Sequence, residues 1–406
     1  MTAPESPGGE AGFSLLLGVL AFTVFSNITA VAMLGPLLVD MSSGLGTTVP
    51  VAAQLVTVSA IAWALTALTI GPFSDTYGRK PVLLLGTALV AIGSLGTAAA
   101  PTFAVAAGFR VLAGIGGGVV SPTCLALIGD IFPARRRAMS VATITMQPGL
   151  SSMLGIPLAA VLADFTGWRS PFIAAGVTML LAGLVLLALC PRYRPQATGL
   201  GLAERLRQVA TLPFTWHMAG ANMVARMAFG VIITFFPAFL ILTYGLRTAE
   251  VALPIAIVAI GATLGPLVGG RIGNSRRRLP TVATALLVAT APGLAIFLLG
   301  WGMWLSVLTA SVFALLVMPV TTMMSIVCAE AGGYARGTLA GLISSSNWAG
   351  TALGASIGGL LIAQVGYGAL SFQLAGATLG SGLLLAFLVQ ERAVARAHHH
   401  FNEPSS

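Results

Sequence analysis

The chain alternates between long apolar runs and short polar segments. Twelve apolar runs end at charged or turn-forming residues, and each is close to the roughly 20 residues that a helix needs to cross a bilayer. Their approximate limits are 13–38, 51–71, 81–100, 103–129, 139–163, 170–190, 213–241, 251–270, 279–299, 303–329, 338–362 and 369–389. The pattern therefore predicts an all-α integral membrane protein with 12 transmembrane helices in a lipid bilayer.

The longest polar connection divides the twelve runs into two sets of six. The predicted units are a tail over 1–12, a bundle over 13–190, a linker over 191–212, a second bundle over 213–390 and a tail over 391–406. Within the linker, residues 203–208 fit either a short interfacial helix or a plain connection, and the sequence leaves both open.

The two halves resemble each other at a constant spacing. Pairs that lie 199 positions apart are Leu154-Gly155 with Leu353-Gly354, Gly167-Trp168 with Gly366-Tyr367, and Arg137 with Arg336. Registered matches at one spacing indicate an internal repeat, and repeated halves around a central pathway are typical of transporters. We expect two pseudo-symmetric six-helix bundles.

Charge predicts how the chain is oriented. An even number of spans puts both termini on one side, and that side receives sixteen of the twenty Lys and Arg residues. Of the remaining four basic residues, Arg169 and Arg247 lie on the other side of the membrane. The last two, Arg110 and Arg226, lie within spans. The positive-inside rule then predicts cytoplasmic termini, and we expect a multi-pass protein of a bacterial plasma (inner) membrane.

Composition and motifs exclude several function classes. The net charge of +9 comes from basic residues placed between apolar runs, so we expect no nucleic-acid partner. Residues 1–12 have no basic residue and do not form a signal peptide. The three cysteines have no metal-ligand or disulfide spacing, and no paired carboxylates or nucleophile constellation occurs in the spans. We expect no metal, no cofactor and no enzymatic activity.

One polar segment is prominent, over 71–81. It contains Gly71, Asp75, Gly78, Arg79 and Lys80 between two apolar runs. Charged side chains are costly in hydrocarbon without a partner. The segment is therefore predicted to form a turn-rich loop at the membrane surface.

Three further motifs follow this segment in the first half of the chain. Span four carries Arg110, Gly114 and Gly116 in the pattern R-x-x-x-G-x-G. It ends at Asp130, which is followed by a basic run over 135–137. Span five carries Gly149, then Gly155-Ile156-Pro157.

In this order the motifs resemble those of the major facilitator superfamily over nearly the whole chain. The segment 71–81 is similar to its G-x-x-x-D-x-x-G-R-K signature. The closest likeness is to bacterial twelve-span drug and sugar efflux permeases of the arabinose-efflux type. Span five departs from the antiporter signature G-x-x-x-G-P-x-x-G, because Pro157 lies two residues after Gly155.

The resemblance implies a function and a conformational latch. It implies export of a small-molecule substrate by alternating access, coupled to a proton or another ion, by a monomer. The implied latch closes the cytoplasmic side in the outward-open state; its residues are Gly71, Asp75, Gly78, Arg79, Lys80, Asp130 and Arg137. A topology anchor without a switching role is the alternative.

Buried polar residues are the candidates for the pathway. Arg110 in span four, and Arg226 with Asn222 one turn before it in span seven, favour anion contact or coupling, since a guanidinium suits carboxylate or phosphate. Neutral candidates for substrate binding are Asn27, Gln54, Gln147, Ser344, Asn347 and Trp348. For each, hydrogen bonding between helices is the competing interpretation.

No Asp or Glu lies deep in a span, so proton coupling rests on the resemblance. Asp40 and His217 are weak candidates for a titrating group. An organic-anion or phosphorylated-metabolite carrier using Arg110 and Arg226, and a lipid exporter, remain as alternatives.

Overall fold

The computed structural model describes residues 9–191, 215–273, 275, 277–300, 302–331 and 336–388, and in these ranges the chain is helical without strands. Residues 1–8 of the predicted N-terminal tail, the C-terminal tail and the linker from residue 192 onward, including 203–208, lie outside the described residues. Residues 9–12 of the predicted N-terminal tail are helical and begin the first helix. Every predicted span coincides with a helix.

The first half contains six helices. They are α1 (Gly9–Ala32 and Leu34–Gly44), α2 (Val49–Ala52 and Gln54–Tyr77), α3 (Arg79–Ala99), α4 (Phe103–Ile131), α5 (Ala134–Thr145, Gln147–Leu150 and Ile156–Thr166) and α6 (Arg169–Leu189). In α5 the stretch Ser151–Gly155 is a π-helical turn, directly before the proline at position 157.

The second half repeats this arrangement. Its helices are α7 (Thr215–Tyr244), α8 (Ala252–Gly273, after a 3₁₀ turn over Thr248–Val251), α9 (Arg278–Leu298), α10 (Met303–Val317 and Pro319–Ala331), α11 (Arg336–Gln364) and α12 (Ala369–Leu388). Eleven of the twelve are long and apolar enough to cross a membrane. Helix α11 has 29 residues, but its serines and glycines make it less apolar than the others.

Each half has its own hydrophobic core. One large cluster of buried side chains comes almost entirely from the first half, for example Leu20, Val90 and Phe172, and another almost entirely from the second half, for example Phe235, Leu286 and Phe313. Two separate cores agree with the two bundles of the predicted fold.

The repeat is visible in the backbone. Gly167 ends α5 with φ +88°, and Gly366 follows α11 with φ +102°. Both backbone N–H groups donate to a carbonyl four residues earlier, at Ala163 and Ile362. Because side chains other than glycine rarely adopt this conformation, both matched positions need glycine to stop the helix.

The loop expected over 71–81 is wrong. Helix α2 continues to Tyr77 and α3 begins at Arg79, so that Gly78, with φ +96°, is the whole turn. A salt bridge of 2.7 Å between Asp75 and Arg79 spans the turn and lets charged residues remain helical. We call the end of the protein that carries this turn the basic end, and the opposite end the far end.

Candidate functional site

The two halves meet where α2 packs along α11. Towards the basic end Gly341 lies against the backbone of Ala67, and towards the far end Gly359 lies against Pro50. Between these points Trp63 of α2 stacks on Trp348 of α11, with ring centroids 4.2 Å apart. The stacked indoles therefore join the halves near mid-height, and the ring of Trp348, a predicted substrate-binding residue, packs on Trp63.

The far ends of the halves are joined by polar contacts. Thr248 Oγ1 donates to Asp40 Oδ2 at 2.7 Å, and Arg247 approaches Asp164 to 3.6 Å. Both contacts connect residues more than 80 positions apart, in different halves. The sequence analysis missed this junction, because charged residues at span ends read as ordinary surface residues.

An apolar cleft lies between α1, α5, α7 and α8. The cavity itself measures about 40 Å³, and the whole space between the walls, open exterior included, is about 450 Å³. Ser152, in the π-helical turn, is a polar member of a lining that is otherwise apolar: Ala32, Pro36, Ile156, Phe229, Ile232, Ile233, Phe236, Pro237, Ile255, Val258, Ala259 and Ala262. The first half and the second half both contribute walls, as a pathway between bundles requires.

Arg226 lies beside this cleft. Its guanidinium is 5.0 Å from the ring centre of Phe229, one turn further along α7, and Phe229 lines the cleft. One terminal nitrogen donates to the Met318 sulfur at 3.3 Å, while Nε is buried without a hydrogen-bond partner. A thioether is a weak acceptor, so most of the capacity of this cation is unused.

Asn222, one turn before Arg226, is fully satisfied. Its Nδ2 donates to Ser346 Oγ at 2.8 Å and to Asn347 Oδ1 at 2.9 Å, and its Oδ1 accepts from Thr321 at 3.3 Å. This network ties α7 to α10 and α11. For Asn222 and Asn347 the structure therefore shows the hydrogen bonding between helices that the sequence left open.

Arg110 differs from Arg226 in its surroundings. It is completely buried, and it donates to Ser59 Oγ at 3.0 Å and to the Ala30 carbonyl at 3.1 Å. It ties α4 to α1 and α2, and zero exposure leaves a ligand no approach. The two arginines that the sequence grouped together therefore have different surroundings.

The remaining neutral candidates are dispersed. Asn27 lies on α1 and donates weakly to Gly117 O and Ser121 Oγ, both at 3.4 Å. Gln54 lies at the α2–α11 contact, and Gln147 donates within its own helix to Thr143 O at 2.7 Å. These side chains and the half-buried Ser344 do not meet at one point.

At the basic end, Arg79 binds two carboxylates. It pairs with Asp75 at 2.7 Å and with Asp130 at 2.8 Å, and it also donates to Ser74 Oγ. All four residues belong to the first half. Residues 332–335, directly before α11, lie outside the described residues.

The other latch candidates lie near this cluster without joining its ion pairs. Arg137 donates to the Phe132 carbonyl at 3.2 Å, and Lys80 is half-buried at the start of α3. A Cβ on Gly71 would meet open space, so no close packing requires glycine there.

The described residues contain no group of three or more His, Cys, Asp or Glu side chains that could hold a metal ion. The described acidic side chains lie at helix ends: Asp75 and Asp130 at the basic end, and Asp40, Asp164 and Glu250 at the far end. The charge available at the cleft is therefore positive.

Comparison with known proteins gives the family. A sequence model of the Major Facilitator Superfamily matches residues 20–345. The chain belongs to the major facilitator superfamily. The crystal structure of a D-xylose-proton symporter superimposes with a TM-score of 0.77 at 15% identity, covering 94% of this chain and 98% of that one, which supports the fold.

Relatives are distant but extensive. The uncharacterized MFS-type transporter YceJ of Bacillus subtilis (strain 168) is 28% identical over 84% of this chain and 88% of its own length. A gallate transporter of Pseudomonas putida is 27% identical over 71% of this chain and 72% of its own. A chloramphenicol resistance protein of Pseudomonas aeruginosa is 28% identical over 64% of this chain and 63% of its own.

Proposed function

We propose that the protein is a secondary active transporter that exports a small organic molecule by alternating access. The observation that carries the proposal is the apolar cleft at the junction of the halves, with walls from α1, α5, α7 and α8. A site between two bundles changes its exposure when one bundle rocks against the other. The similarity to a chloramphenicol resistance protein supports a drug-like substrate.

Export and its driving force rest on the resemblance to efflux permeases. A proton gradient is the proposed drive, with the termini and the basic end in the cytoplasm. The Asp40 carboxylate accepts a hydrogen bond from the other half, through Thr248. Loss of that contact would free the far ends of the two halves to separate.

A second candidate, an organic-anion carrier, is favoured by Arg226. Its guanidinium borders the cleft without a described carboxylate partner. The similarity to a gallate transporter, named for an aromatic acid, is in line with this candidate.

Transport in proteoliposomes tests the proposal. A panel of neutral, acidic and basic aromatic compounds, first screened by thermal shift because bound ligand raises stability, is offered with an imposed pH gradient. We expect at least one compound to be transported, and transport to stop when an ionophore removes the gradient. Transport that continues unchanged without the gradient would refute proton coupling alone.

A blocked cleft tests the site. Ala262 lines the cleft, whereas Leu264 on the same helix is 45% exposed on the outer surface. We expect Ala262→Phe to abolish transport and Leu264→Phe to leave it unchanged. If Ala262→Phe folds and transports like the wild type, the cleft is not the pathway.

A further inference from the structure

We infer that Arg226 and the apolar cleft beside it bind the carboxylate of an aromatic monocarboxylic acid, so that the substrate itself supplies the counter-charge that Arg226 lacks. The inference rests on the proposed transport function. It narrows the substrate to one chemical class and assigns the specificity to one residue.

The first step is the charge of Arg226. It lies near the middle of the 30-residue helix α7, where an unpaired cation is costly. Among the residues that the structure describes, no carboxylate forms an ion pair with it, and its hydrogen-bond partner is the Met318 sulfur. A bound anion would remove this cost, because a guanidinium and a carboxylate form two parallel hydrogen bonds.

The second step is access. Arg226 is half-buried, whereas Arg110 is fully buried between Ala30, Ser59 and the Phe172 ring. The Nε of Arg226 has no hydrogen-bond partner. Its contact with the Phe229 ring, 5.0 Å from the ring centre, is not a hydrogen bond to an acceptor and so leaves the unpaired Nε–H for a ligand. Arg226 is therefore the less enclosed of the two arginines, although its Nε is buried.

The third step is the body of the ligand. Phe229 contacts Arg226 and also lines the cleft, together with Phe236, Ile255 and Val258. A carboxylate held at Arg226 would thus place its attached group against aromatic and branched apolar side chains. A phosphorylated sugar would have its hydroxyl groups buried there without partners, which costs free energy. The lining favours a hydrophobic acid.

The fourth step is the number of charges. Arg226 lies 199 positions after Asn27, the spacing of the repeat, and Asn27 is the neutral residue at the matching position of α1. The Oδ1 of Asn27 is also buried without a partner. One half therefore offers a cation and the other a neutral amide. A single positive charge suits a monoanion better than a dianion.

Binding of matched probes tests the inference. Phenylacetate and phenylacetamide share a ring and differ in charge, and their affinities are measured by calorimetry on the full chain in lipid nanodiscs. We expect phenylacetate to bind about tenfold tighter or more. We expect Arg226→Gln to abolish this preference while leaving phenylacetamide affinity within about twofold.

Two further variants control for charge and for fold. Arg226→Lys keeps the charge without the planar fork, so that an intermediate preference is expected. Arg271→Gln removes the same charge from an exposed position near the end of α8 and should change nothing. Thermal unfolding of each variant shows that it is folded.

Three outcomes would overturn the inference. They are equal affinities for the two probes, a preference that persists in a folded Arg226→Gln, and no phenylacetate binding by the folded wild type. Each leaves the proposed function standing if a neutral compound is transported and Ala262→Phe blocks it. Conversely, an Arg226-dependent preference without transport of any compound would refute the proposed function alone.

Discussion

Three arginines within the helices show how much a residue depends on its partners. Arg79 binds two carboxylates, Arg110 binds a hydroxyl and a carbonyl, and Arg226 contacts a sulfur and an aromatic ring. The guanidinium is the same in each. Its partners make the first an ion-pair centre, the second a tie between helices and the third a candidate ligand site.

At the scale of the residue, Arg79 is expected to matter more than either of its partners. Arg79→Gln removes the cation that both Asp75 and Asp130 bind, whereas Asp130→Asn leaves the pair of Arg79 with Asp75 intact. The pairs are largely shielded from solvent, so we expect Arg79→Gln to cost about 3–5 kcal/mol and Asp130→Asn about 1–3 kcal/mol. Denaturant unfolding in detergent measures both. Equal losses would contradict the shared-cation arrangement.

At the scale of the element, glycines set the approach of α7 to α11. A Cβ at Gly354 would collide with the Met227 carbonyl, and one at Gly350 with the Met223 carbonyl. Because both obstacles are backbone atoms of α7, they have little room to move. Small residues at such contacts let helices in membranes pack closely.

The matched pair Gly354→Ala and Gly376→Ala tests this contact. Gly376 lies on the exposed side of α12, where a Cβ would meet nothing within 4 Å. We expect Gly354→Ala to destabilise the protein by about 1–3 kcal/mol. Gly376→Ala should be neutral or stabilise by up to about 1 kcal/mol, since alanine is the better helix former. The free energy of unfolding of the two variants is measured under the same condition. If Gly354→Ala leaves this free energy unchanged, α11 can shift away from α7 without cost.

At the scale of the whole molecule, the far end is closed by contacts of unequal strength. The hydrogen bond from Thr248 to Asp40 involves a buried hydroxyl and a carboxylate. The Arg247 side chain is 69% exposed, so its pair with Asp164 contributes about 0–1 kcal/mol. Bonds to a charged group contribute about 1.5–3 kcal/mol, which makes the Thr248 contact the stronger one.

Thr248→Val should therefore open the far end more than Asp164→Asn does. Ser152→Cys, at the cleft, reports on opening in a background with Cys124, Cys190 and Cys328 replaced by alanine. We expect a membrane-impermeant thiol reagent added at the far side to label this cysteine faster, by about tenfold with Thr248→Val and by less than fivefold with Asp164→Asn. Equal labelling in all three backgrounds would show that other contacts hold the far end shut.

The ion pairs of Arg79 with Asp75 and Asp130 coexist with this closed far end. These three residues belong to the first half, so the pairs between them do not require the far ends to separate. The proposed latch must then act through a contact between the first and second halves. Its switching role stays a prediction, because the region before α11 lies outside the described residues.

The sequence by itself determined the number of spans, the repeat and the surface position of the charges. These follow from local properties, since a run of about 20 apolar residues has no stable place outside a bilayer or a core. It also singled out Arg226, because a cation within an apolar run is conspicuous whatever surrounds it. The turn over 71–81 was placed correctly and given the wrong length, because an Asp75–Arg79 pair can stabilise a helix as well as a loop.

Only the tertiary structure decided which buried polar side chains are bound by other residues of the protein and which border the cleft. Arg110 and Arg226 are alike in sequence, yet Ala30 and Ser59 bind one, and an apolar cleft borders the other. The contact of Thr248 with Asp40 joins residues 208 positions apart, and no local sequence pattern predicts it. Partners brought together from distant parts of the chain set the cost of a buried charge, and that cost makes Arg226 the candidate for binding a substrate.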